Sequence, residues 1–377
     1  MNFLFEGVVR LRASDWLLLF IPLLISLAGV LTMHAFGGEN SLAPRQLAWI
    51  LVATTLFILS ASLDLRFLRR TPIIVTVYAI VLALLALLLI AVAPVQGAKS
   101  WFSLGSFSFQ PADAAKLVLI ALLAKYFSRR HIEIRNVRHI LISGAYAAAP
   151  ALLVLAEPDL GTAAIMGALW FGMILMSGIS KRHLAAVALC GVVGASLLWF
   201  GGLEEYQRNR LVAFLNPAAD MQGAGYNAYQ AVVAIGSGEA LGKGVGYGTQ
   251  SKLRFLPEYE TDFIFAAFAE EWGFIGVVLL LSLYGILIGR LAYLARRSST
   301  NFDALFTLGV AVLFLSHIVI HGGINLGLLP VTGTTIPFMS YGGSHLAVEY
   351  AALGIVVSLS QYGRSVSREL EEREYAG

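Results

Sequence analysis

Asp262 ends the stretch Phe255-Leu-Pro-Glu-Tyr-Glu-Thr-Asp262, immediately before an apolar run that carries Glu270 and Glu271. A carboxyl group buried at such a boundary titrates high, toward the range of a useful general base, whereas nearby Arg or Lys opposes that shift. The plainer reading is an acid that starts a helix. Glu270 lies about 12 Å further along a helix rising 1.5 Å per residue, too far to act with Asp262. Glu270 and Glu271 therefore read as packing or coupling acids. Upstream, Arg208, Arg210, Lys243, Lys252 and Arg254 form a cationic cluster for which pyrophosphate is the natural ligand. Lys243 is not part of a P-loop, because Ser237 occupies the first glycine position and Gly244 follows the lysine.

Three further constellations carry polar chemistry. In Gln110-Pro-Ala-Asp113 followed by Lys116, Pro111 suits a first helical turn and sets Asp113 and Lys116 three apart on one face. Either Asp113 complements the helix end while Lys116 snorkels to an interface, or the lysine holds an anionic headgroup. In Glu157-Pro-Asp-Leu-Gly-Thr162, Asp159 either caps a helix or joins Glu157 in binding a divalent cation or orienting a base. His317 and His321 fall four apart, as do His345 and Glu349; this spacing suits hydrogen-bonded packing better than a metal site, since no acidic motif intervenes.

The elements that must position these residues are membrane spans. Of 377 residues, 58% are hydrophobic and 13% charged, against roughly 45–50% and about 25% in soluble proteins. A net charge of +3 does not suggest a nucleic-acid binder, and the single cysteine, Cys190, excludes a disulfide framework and a cysteine-based metal cluster. Ten apolar runs lie near 16–36, 46–63, 72–94, 111–127, 140–156, 160–178, 184–201, 263–289, 304–326 and 344–361. Each reads as a transmembrane helix, the fourth weakest because it contains Lys116 and Lys125. The first is too long for a signal-peptide core and reads as a retained anchor. Lys and Arg concentrate in the short loops of one side, such as Arg66, Arg69 and Arg70, whereas the opposite short loops offer Arg45 and Lys99. Both termini are therefore expected in the cytoplasm, and the connection at about 202–262 outside. The expected organisation is one polytopic membrane domain over 1–377, with a cytoplasmic tail at about 363–377. Every polar constellation named above, apart from the histidines, falls on the outer side.

Asn216-Pro, Gly223-Ala-Gly-Tyr226, Ile235-Gly-Ser-Gly238, Gly242-Lys-Gly244, Gly248-Thr-Gln250, Leu256-Pro-Glu258, Thr261-Asp-Phe-Ile-Phe265 and Glu270-Glu-x-Gly273 follow one another in order. With Pro158-Asp-Leu-Gly-Thr162, Leu329-Pro-Val-Thr-Gly333 and Ser340-Tyr-Gly-Gly-Ser344, they resemble the SEDS family of bacterial membrane proteins (shape, elongation, division and sporulation) over nearly the whole chain. The chain length, the Asp15-Trp16 start and the Gly-Ala-Gly-Tyr and Gly-Thr-Gln wording place it nearer the rod-elongation branch than the division branch. It departs from the family pattern at Ser100, Asp113, Glu157 and His321, where Arg, Glu, Gln and Asn are usual.

The resemblance implies an all-α fold of about ten transmembrane helices and a peptidoglycan glycosyltransferase that polymerises lipid II on the outer face of the bacterial plasma membrane. It gives Asp262 the central catalytic role and makes Lys116, Arg208, Arg210, Lys243, Asp159, Asp113 and Ser340 candidate contacts to lipid II. It also implies a class B penicillin-binding protein as transpeptidase partner, within the elongation machinery, with lipid II, the growing lipid-linked glycan and membrane lipids as the other partners. A divalent cation, Mg or Mn, could share the pyrophosphate charge. Two readings compete with it: a lipid II flippase that would use the same outer pocket, and a noncatalytic activator of the penicillin-binding protein.

Overall fold

The computed structural model of the chain describes residues 15–37, 42–91, 100–104, 107–129, 137–202, 205–216, 223–253, 255–256 and 258–375. Arg254 of the cationic cluster and Lys99 lie outside them. The chain runs through α1 (Leu17–Gly37), α2 (Ala43–Ser62), α3 (Thr71–Ala91), a two-stranded antiparallel hairpin of β1 (Phe102–Leu104) and β2 (Phe107–Phe109), α4 (Pro111–Ser128), α5 (Val137–Ala156), α6 (Leu160–Met176) and α7 (Lys181–Leu197). Three shorter helices follow, α8 (Glu205–Leu215), α9 (Ala224–Ser237) and α10 (Thr249–Lys252), then α11 (Ile264–Arg296), α12 (Asn301–Asn325) and α13 (Gly343–Tyr375). All but α8, α9 and α10 coincide with the ten apolar runs. The chain is a multi-pass membrane protein with an all-α core.

Eight of these helices are long and apolar enough to cross a bilayer unaided. The other two are α6, with 17 residues, and α4, which carries Asp113, Lys116 and Lys125 among its 18. Packing explains α4. It lies against α3, α5 and α12, and Asp113 and Lys116 are buried in protein, so their charges do not face lipid. Helices α2 and α13 pack along each other, and Phe57 and Tyr350 are fully buried in the common core.

The described residues of the connection at 202–262 are built around a break in α11. Gly273 leaves the helical region with φ 64° and ψ −167°. The backbone groups freed by that break are taken up by the segment after α9: Phe274 N donates to Glu239 O at 2.9 Å and Ile275 N to Ala240 O at 3.1 Å. In return Lys243 N donates to Glu270 O at 2.9 Å and Gly244 N to Glu271 O at 3.0 Å. Irregular backbone beside a membrane helix requires such internal partners. The approach is close enough that a Cβ on Gly242 would stand 2.1 Å from Glu271 O. Side chains complete the staple, with Lys243 Nζ 2.7 Å from Glu270 Oε1 and Gly246 N donating to Glu271 Oε1 at 2.6 Å.

Candidate active site

Asp262 sits on the turn that leads into α11, where Asp262 N donates to Glu258 O at 3.1 Å. Two buried side chains from other elements fix this turn. Asn325, at the end of α12, donates from Nδ2 to Asp262 O at 3.0 Å and accepts from Ala266 N at 3.1 Å. Ser340 donates to Thr261 O at 2.8 Å while its oxygen accepts from Ile336 N at 3.0 Å. The Asp262 carboxyl is thus carried by a backbone that three elements hold. Burial raises its pKa to about 7, and the charges of Glu258 and Asp159 push the same way; Arg210 and a hydrogen bond from Thr261 oppose them.

It opens into a cavity of about 620 Å³, within the range of ligand sites. Asp113, Lys116, Asp159, Arg210, Asp262 and His345 all line it. Asp159 caps α6 by accepting from Thr162 N at 2.9 Å and accepts a second hydrogen bond from Gln110 Nε2 at 3.2 Å. Burial raises its pKa in spite of the Thr162 hydrogen bonds and nearby Lys116. Lys116 Nζ stands 2.9 Å from Asp113 Oδ1 and 3.3 Å from His317 Nε2. An ammonium only donates, so His317 accepts at Nε2 and donates from Nδ1 to Thr335 O, 3.0 Å away. Thr332 and Thr334 also line the cavity, and their hydroxyl oxygens are buried with no hydrogen-bond partner among the described residues.

Five of the eight residues singled out by sequence therefore line one cavity: Asp113, Lys116, Asp159, Arg210 and Asp262. The other three are placed elsewhere among the described residues. Lys243 is spent on Glu270 and on Thr249, whose Oγ1 is 2.9 Å away, inside the α11 staple. Arg208 lies two positions from Arg210 on α8, and residues so spaced do not share a helix face. Ser340 supports the Asp262 turn. Glu270 and Glu271, read as packing or coupling acids, receive the staple. Sequence reasoning missed Asn325, Thr332 and Thr334; the only trace of the first is an amide at the end of an apolar helix. It also paired the histidines along single helices, whereas the rings of His317 and His345 meet across α12 and α13 with centroids 4.9 Å apart. Among the described residues no group of three or more His, Cys, Asp or Glu is arranged to hold a metal ion.

A family model described as "Cell cycle protein" and named for FtsW, RodA and SpoVE matches residues 10–365. The peptidoglycan glycosyltransferase MrdB of Escherichia coli K12 is 32% identical over 96% of this chain and 97% of its own length. Stage V sporulation protein E of Bacillus subtilis is 32% identical over 93% of this chain and 98% of its own length. A solved chain from a peptidoglycan synthase complex that coordinates polymerization and crosslinking superposes with a TM-score of 0.80 at 32% identity, covering 93% of this chain and 99% of that one. The rod shape determining protein RodA of Thermus thermophilus gives a TM-score of 0.71 at 30% identity, covering 94% and 99%.

Proposed function

The chain belongs to the FtsW, RodA and SpoVE family of cell cycle proteins, and from that membership we propose a reaction for the cavity. It is a peptidoglycan glycosyltransferase. Its substrate is lipid II, which it joins to a growing lipid-linked glycan at the outer face of the bacterial plasma membrane, with both termini in the cytoplasm. The 4-hydroxyl of the acceptor sugar attacks the anomeric carbon of the donor, the new carbon–oxygen bond forms with inversion, and the bond to the lipid diphosphate breaks. Asp262 takes the hydroxyl proton. Lys116 and Arg210 stabilise the diphosphate as its charge grows on departure. The polyprenyl tails stay in lipid, which accounts for a polymerase built from membrane helices.

One observation carries this reading: a carboxyl group held at about 7 opens into the same cavity as two cations. At neutral pH such a group is ionised in a large fraction of molecules and is still basic enough to accept a proton. Transport would need a polar path toward the other side. Beyond Lys116, α4 instead buries Leu119, Ile120 and Leu123, and α12 buries Val310 and Phe314. This apolar floor favours the transferase over a flippase. The partner that fits the reading is a class B penicillin-binding protein supplying crosslinking, in the machinery of rod elongation. The test is to incubate purified protein, with and without that partner, with lipid II and to resolve glycan polymer on a gel. Polymer from the wild type and none from Asp262→Asn supports the assignment; equal polymer from both refutes the role of Asp262, and none from either refutes the activity.

A further inference from the structure

A row of four ionisable side chains drawn from α4 and α13 runs from the cavity into the protein, and Asp113, Lys116 and His345 line the cavity itself. His345 Nδ1 is hydrogen-bonded to Asp113 Oδ1 at 3.2 Å, and its Nε2 stands 2.9 Å from Glu349 Oε1, a charge contact outside hydrogen-bond alignment. Asp113 Oδ1 is also the partner of Lys116 Nζ at 2.9 Å. All four side chains are buried. Each nitrogen of His345 thus faces a carboxylate oxygen. A neutral ring that donates from Nδ1 would turn a lone pair toward Glu349, whereas a ring carrying both protons presents an N–H toward each carboxylate. Glu349 Oε2 accepts from Phe338 N at 2.8 Å. That donor is aimed by a strained residue, since Phe338 holds φ at 63°. The groups facing the ring are thus Asp113 and Lys116 from α4, His317 from α12 and Glu349 from its own helix. Signs alternate along the row: Glu349 negative, His345 positive, Asp113 negative, Lys116 positive.

We propose that His345 and Glu349 are positioning residues that hold Lys116 ready for the diphosphate of the lipid-linked substrate. A buried Lys–Asp pair by itself would neutralise the ammonium on which binding depends. Here the imidazolium takes part of the Asp113 charge from the other side, and Glu349 balances the imidazolium, so the row is neutral overall while Lys116 remains an effective cation at its end. Two of the three ammonium protons go to Asp113 and His317, which leaves one for the ligand. The proposal rests on the reading of Lys116 as a diphosphate contact.

The test measures KM for lipid II, kcat and thermal midpoint for Lys116→Met, His345→Gln, Glu349→Gln and the double variant His345→Gln/Glu349→Gln. His345→Gln is expected to raise KM roughly tenfold, more than it changes kcat, and to lower the midpoint because Glu349 loses its partner. The double variant removes the stranded charge and is expected to regain the midpoint while KM stays high. Recovery of both, or an unchanged KM in His345→Gln, overturns the proposal and leaves the row a structural neutralisation. Should His345→Gln fail to fold, Glu349→Gln keeps the acceptor for Phe338 N and should raise KM in the same direction by a smaller factor; an unchanged KM overturns the proposal as well. If Lys116→Met leaves KM untouched, the underlying reading of Lys116 fails, an outcome distinct from failure at His345 alone.

Discussion

Replacing Glu157 by glutamine should stabilise the protein, by an amount that depends on pH. Glu157 is 0% exposed, and neither carboxyl oxygen has a hydrogen-bond partner among the described residues. Burial first and the nearby Asp159 second raise its pKa from 4.5 to about 8. The folded state therefore binds this proton more tightly than the unfolded state. The resulting penalty is absent below pH 4.5, grows as pH rises through the interval up to about 8, and is constant above it. At pH 7 the chain has crossed two and a half units of that interval, and at about 1.4 kcal/mol per unit the penalty is about 3 kcal/mol. Glutamine has nearly the same shape and does not ionise. It buries an unpaired amide in place of an unpaired acid, an offset that does not change with pH. The assay is a thermal melt of wild type and Glu157→Gln in detergent at pH 5, 6, 7 and 8. The difference in midpoint should widen steadily in favour of the variant, to several degrees at pH 8. A difference that stays constant from pH 5 to 8 would refute the reasoning, whatever its sign.

Polymerisation by the wild type should rise with pH through about 7 as Asp262 loses its proton; a rate that is flat between pH 5.5 and 8 would remove Asp262 as the base. Asp262→Asn should lower the rate by roughly 10²–10⁴ without lowering the thermal midpoint and with partner binding intact, as measured on gels, by thermal melts and by co-purification. Lys243→Met should lower the midpoint by leaving buried Glu270 without its partner, with KM for lipid II unchanged in the folded fraction; a raised KM at the wild-type midpoint would return Lys243 to the substrate site. Gly273→Ala requires a side chain at φ 64° and a Cβ 2.2 Å from Gly242 N, so it should cost at least about 1–3 kcal/mol, read as a large drop in midpoint or in folded yield.

The spans were legible because length and apolarity alone decide them, and even α4 could be placed despite its charges. The site was legible in part. Asp113 and Lys116 lie in the first two turns of α4, Asp159 caps α6 and Asp262 immediately precedes α11, and helix ends on one side of a bundle converge; Arg210, in the middle of α8, joins them in the same cavity. What composition does not reveal is where a backbone breaks. The run near 263–289 reads as one helix, and nothing in its apolar pattern announces that Gly273 opens it to accept the segment around Gly242. Lys243 therefore looked like a free cation when its carboxylate partner lay 27 residues further on. Arg208 and Arg210 were read together because they are neighbours in a line, and helical geometry separates them. His345 and Glu349 were seen as a pair within one turn, but their importance comes from Asp113, 232 residues away from the histidine.

These chain distances also order the assembly of the molecule. The α11 staple joins residues 20 to 35 apart, from Gln250 and Glu270 to Glu239 and Phe274, so it can close as soon as that helix has entered the bilayer. The charged row joins α4 to the final helix across most of the chain, and loop closure on that scale comes late. Until α13 inserts, Lys116 and Asp113 can neutralise only each other. A truncated or nascent chain thus carries the turn of Asp262 without the cation array that faces it, and the cavity acquires its full set of charges only with the last transmembrane helix.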